Sequence, residues 1–122
     1  MSVASAAYRA TRVVVAVLVL LQAFLAGRFL FGNWSVAAHG VIGNITFAVS
    51  VACLATAVLA RVGRHAIAVA AVLALLLTVQ VGLGYAGRTS GDAAAWHIPM
   101  GVLAFGLAIH QLGIAPRRSR YY

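Results

Sequence analysis

Four apolar runs fill the chain, and short polar breaks separate them. The runs are about Val13–Phe31, Ala37–Ala60, Ala66–Ala86 and Ala93–Ala115. A helix that crosses the hydrocarbon core needs about 20 mostly apolar residues, and each run meets that length. The breaks carry turn chemistry: Gly32-Asn33-Trp34-Ser35, Arg61-Val62-Gly63-Arg64, and Gly87-Arg88-Thr89-Ser90-Gly91-Asp92. Connections this short make consecutive helices antiparallel neighbours. The pattern predicts an all-α membrane protein, an up-down bundle of four transmembrane helices in one domain over residues 1–122.

Composition sharpens the class. Of 122 residues, 64% are hydrophobic and 8% charged, which leaves too little polar surface for a water-soluble domain. All nine basic residues are Arg and the one acidic residue is Asp92, for a net charge of +8. These arginines sit at the ends of apolar runs and form no patch on a polar face, so nucleic acid is not the expected partner. In a membrane protein they mark sidedness and contact with anionic lipid. Arg9, Arg12, Arg61, Arg64, Arg117, Arg118 and Arg120 fall on one side. Arg28 and Arg88 fall on the other, partly offset by Asp92. This bias predicts a multi-pass protein of the cell inner membrane, with both termini and the middle loop cytoplasmic. Trp34 and Trp96 then lie near the outer boundary, and Tyr8, Tyr121 and Tyr122 near the inner one. Arg9 and Arg12 before an apolar run resemble the start of a signal peptide, but the run is too long for a signal core and is read as a retained first helix. Cys53 is the only cysteine, so no intrachain disulfide or cysteine metal motif exists, and a buried inert thiol is expected.

The chain also repeats itself. At an offset of 58 residues, Gln22 falls on Gln80, Leu25 on Leu83, Ala37 on Ala95, His39 on His97, Gly43 on Gly101 and Phe47 on Phe105. Matches at Ala and Leu carry little weight in apolar sequence. The shared offset of Gln, His and Phe carries more. The repeats are helical hairpins, about 13–60 and 66–115, that start on the same side, so a pseudo-two-fold axis along the membrane normal relates them. His39 and His97 are thereby predicted at equal depth near the outer ends of helices two and four.

A polar residue inside a span is costly unless paired or liganded. Two imidazoles facing each other across a symmetry axis suit the two axial positions of one haem iron. Gly43 and Gly101 lie one turn from each His on the same face and are expected to open a slot for the macrocycle, with Gly40 widening it. Phe47 and Phe105 are expected to pack below the ring edge. Gln22 and Gln80 would line the cavity from helices one and three. Arg28 and Arg88 would pair with the two propionates. The plainer readings are a His bonded to a neighbouring carbonyl, an interhelical hydrogen bond for each Gln, close helix packing for the glycines, and arginines that snorkel to the interface. Of the two remaining histidines, His65 stands at the inner end of helix three. His110 follows His97 by 13 residues, and the repeat places Ala52 opposite it. No symmetric second haem site is therefore expected, and His65 would partner His110 only if the bundle geometry allowed it.

The stretch Gln80-Val81-Gly82-Leu83-Gly84 followed by His97, together with His39 near the start of helix two, resembles the haem A synthase family. Gln22-Ala23-Phe24-Leu25-Ala26-Gly27 and the spacing of His39 to Gly43 resemble a group of small four-helix bacterial membrane proteins. The first family looks like two fused four-helix bundles, each with a His pair at a haem site, and residues 13–114 resemble one such half. That family carries a glutamate near its helix-two His, and here no span contains a carboxylate. The resemblance thus implies haem binding without the oxygenase chemistry.

Together these observations predict a b-type membrane cytochrome. Haem b would be held by His39 and His97, for electron transfer with a quinone or membrane redox partner, or for haem holding. The alternatives are a non-enzymatic accessory subunit of a membrane complex and a small channel or transporter. The absence of an intramembrane carboxylate argues against a proton-coupled transporter. Surrounding lipid is an expected partner, and oligomerisation stays open.

Overall fold

A computed structural model describes residues 1–114, and they form four helices: α1 (Val3–Phe31), α2 (Val36–Leu59), α3 (Arg64–Ala86) and α4 (Gly91–Gly113). Arg117, Arg118, Arg120, Tyr121 and Tyr122, to which the sequence assigns inner-side roles, lie outside the described residues. All four helices are long and apolar enough to cross a membrane, and the chain is a multi-pass membrane protein. α1 begins ten residues before the apolar run does. Ser2 caps it by accepting a hydrogen bond from the Ser5 amide, and the Ala-rich turn that follows keeps its helical preference despite Arg9 and Arg12. Ser35 and Ser90 cap α2 and α4 in the same way.

The α2–α3 connection is tight. The Arg61 amide donates to the Val58 carbonyl and the Val62 amide to the Ala57 carbonyl, with Arg61 at φ 51°. This is a Schellman closure, and Val62 supplies its apolar contact, buried at 6% exposure. Gly63 follows at φ 113°, a conformation that L side chains avoid. Gly63→Ala is expected to lower stability by about 1–3 kcal/mol, read as a lower thermal midpoint in detergent with helicity at low temperature unchanged.

The helices pack in a ring: α1 on α2, α2 on α3, α3 on α4, and α4 back on α1. Among the described residues, the diagonal pairs α1–α3 and α2–α4 share no close backbone approach. The half of the bundle nearer the chain ends is closed by a core in which burial follows the 58-residue offset. Val15 and Leu73, Ala16 and Ala74, Val19 and Leu77 on α1 and α3 are buried pairs. Thr46 and Ala104, Ser50 and Ala108, Cys53 and Gln111 are their counterparts on α2 and α4. Small residues on this axis let the helices meet closely, which is how membrane helices gain packing contact where lipid is as apolar as the core. Thr46 and Ser50 satisfy their hydroxyls on the Ile42 and Phe47 carbonyls of their own helix. The outer faces carry exposed Leu20, Phe24, Leu75, Ile98 and Val102, surface suited to lipid contact.

Candidate functional site

Where the closed half ends, a cavity begins. Its floor takes one residue from each helix: Val19, Thr46, Leu77 and Ala104. Above them lies about 600 Å³ of space, within the range of pockets that hold cofactors. His39 and His97 both line it. His39 sits in the first turn of α2, and His97 in the second turn of α4. These helices are diagonal to one another, so the imidazoles approach across the bundle axis and not along a helix contact.

The ring centres stand 5.9 Å apart, with the planes at 79°. Two imidazoles on one first-row metal have ring centres about 4.5 Å apart at right-angle coordination and about 6.3 Å apart when in line, given metal–nitrogen bonds of about 2 Å. The observed spacing lies between these two values. In both rings Nδ1 is the fully buried nitrogen and has no hydrogen-bond partner. An acceptor for each Nδ1–H would fix the tautomer and leave Nε2 facing the cavity.

The glycines have a different use from the one the sequence suggests. A Cβ built on Gly43 would stand 2.7 Å from the Gln22 side-chain nitrogen, and one on Gly101 would stand 2.9 Å from that of Gln80. Each glycine therefore makes room for the amide of the neighbouring hairpin helix, at symmetry-related positions. Both glutamine Oε1 atoms are buried without a partner, so each amide has an unused acceptor. Gly84 does the same for the His97 ring, with a Cβ reaching 3.1 Å from its Cε1. Gly84→Ala is expected to displace that ring by a few tenths of an ångström. Ligand affinity at the site should fall while helicity stays constant.

The cavity reaches both lateral gaps of the ring. On the α1–α4 side it is lined by Ala23, Gly27, Ile98 and Val102, all without polar side chains. On the α2–α3 side it meets Gly40, Asn44, Tyr85 and Arg88. Here the Asn44 amide donates to the Tyr85 hydroxyl at 2.8 Å, joining the two helices. The Arg88 guanidinium stacks 4.7 Å from the Tyr85 ring centre and fills the space that Gly40 leaves open. One flank of the cavity is polar and cationic, and the other is apolar.

Of the residues singled out by sequence, Gln22, His39, Gly43, Gln80, Arg88, His97, Gly101 and Phe105 line the cavity. Two others do not line it. Arg28 does not line it: its guanidinium stacks over Trp34, 5.1 Å from the ring centre, as a snorkelling side chain does. Phe47, the counterpart of Phe105, is half-buried and also outside the wall. Asn44, Tyr85 and Gly84 belong to the wall although sequence reasoning passed over them. A signal was present for Asn44, since an amide inside an apolar run needs a partner. Compared with known protein families, curated proteins and solved structures, the chain finds no match.

Proposed function

We propose that the protein is a b-type haem-binding membrane cytochrome that uses His39 and His97 as the two axial ligands. The observation that carries this reading is the 5.9 Å approach of two imidazoles over a cavity of about 600 Å³. Two features of the cavity support a flat, amphipathic occupant. Arg88 and the Asn44–Tyr85 pair offer a cationic, hydrogen-bonding flank to carboxylates. The α1–α4 flank offers hydrocarbon contact to an apolar edge.

When bound, haem would supply reversible one-electron transfer at iron. The chain's own part is to bind and orient. His39 and His97 would both ligate the iron, which favours electron transfer over oxygen chemistry. An acceptor at each buried Nδ1 would hold the ring orientation. The closed half of the bundle would keep water from the other end out of the site. Such ligation would suit electron exchange with a quinone or membrane redox partner, or haem holding.

On the arginine bias we read the membrane as a cell inner membrane with both termini cytoplasmic, and the cavity would then lie towards the outer face. The deciding experiment is an absorption spectrum of protein purified from haem-replete cells. A Soret band and split visible bands on dithionite reduction are expected. Colourless protein that copurifies with other membrane subunits would favour the accessory-subunit reading instead.

A further inference from the structure

The other two histidines also meet. His65 is the second residue of α3 and His110 lies in the last turn of α4, and their ring centres stand 5.6 Å apart at 81°. Sequence spacing gives no reason for this, because the repeat pairs His110 with Ala52. The antiparallel α3–α4 contact brings the start of one helix beside the end of the next.

This pair differs from the first in its surroundings. Both side chains are exposed, and neither lines the cavity. The residues beside them in sequence, Ala66, Ala108 and Gln111, are buried at 2%, 0% and 0% exposure. Among the described residues, packed side chains back these rings. A small ion is the ligand that fits.

The geometry points to a second binding site, a divalent transition-metal site formed by His65 and His110 at the end of the bundle that carries the chain ends. The 5.6 Å spacing lies between the values for right-angle and in-line imidazoles on one metal, as a tetrahedral or distorted site requires. Two imidazoles and no third His, Cys, Asp or Glu among the described residues make up the protein's share. Water would complete the coordination shell at this exposed position. Nitrogen donors without carboxylates select zinc, copper or nickel over magnesium or calcium. Arg61 and Arg64 stand close in sequence and add positive charge, so binding is moderate in strength and tight structural binding is not expected. This site is independent of the haem reading.

The test uses full-length protein without a polyhistidine tag, in detergent, titrated with zinc chloride against a competing chromophoric chelator. The expected result is one equivalent of zinc that wild type binds and that both His65→Ala and His110→Ala weaken by at least about tenfold. Because both side chains are exposed, the variants should keep wild-type helicity, checked by circular dichroism. Absence of zinc binding in wild type would overturn the site. So would equal binding in all three proteins, or a loss in only one variant.

Discussion

His39→Ala and His97→Ala proteins are each expected to purify with more than about tenfold less haem per chain than wild type, since loss of even an outer-shell partner of a metal ligand costs about 10–100-fold. The reason lies in the ring geometry. Each imidazole comes from a different hairpin, and the helices that carry them share no close backbone approach. Among the described residues, no further His, Met or Cys lines the wall to replace a lost imidazole. Met100 packs against the buried core, and Cys53 belongs to the closed half below the floor. His65→Ala and His110→Ala serve as controls. They lie outside the cavity and should leave the spectrum unchanged. Wild-type spectra in both His39→Ala and His97→Ala would refute the ligation. A loss in the two controls as well would point to general destabilisation.

Arg12→Met is expected to cost about 2–3 kcal/mol of stability, from two hydrogen bonds to a charged donor. Arg12 extends from α1 to the end of α4, where Nη1 donates to the Ile114 carbonyl at 2.9 Å and the Gln111 carbonyl at 3.3 Å. The last carbonyls of a helix have no intrahelical donor, and a cation there also meets the negative end of the helix dipole. The contact closes the ring of helices at the α1–α4 seam. It sits beside the fully buried Gln111, whose side-chain nitrogen donates to the Cys53 sulfur at 3.5 Å. Methionine keeps the aliphatic stem and removes only the charge and the donors. Arg9→Met, at an exposed position on the same helix, should change stability by less than about 0.5 kcal/mol. Thermal midpoints in one detergent separate the two. Equal midpoints for Arg12→Met and Arg9→Met would show that the α4 cap contributes little.

Most of the architecture was legible because a bilayer restricts the choices. Apolar length sets the number of spans, and loop length sets their antiparallel order. The start of α1 was not legible from hydropathy, since a Ser cap and Ala-rich residues extend a helix past its apolar part. The offset of 58 made His39 and His97 candidates for one site, because residues of rarer type kept common spacing in a two-fold arrangement. Arg28 and Arg88 looked equivalent in sequence, both beyond the His level on the same side. Yet Arg28 has Trp34 within reach, while Arg88 has the space left by Gly40.

What the chain determines by itself is therefore one-dimensional: which residues must lie in hydrocarbon, how many crossings they make, and which polar residues recur at matching depth. Tertiary structure decided the lateral contacts. It placed the Gln22 and Gln80 amides over Gly43 and Gly101, separated Phe47 from Phe105, linked Asn44 to Tyr85, and brought His65 to His110. The physical reason is rotation about the helix axis. Hydropathy fixes depth to within a turn, but in a helix that is apolar all round it does not say which side faces a neighbour. Only the packing of small residues against large ones sets that angle.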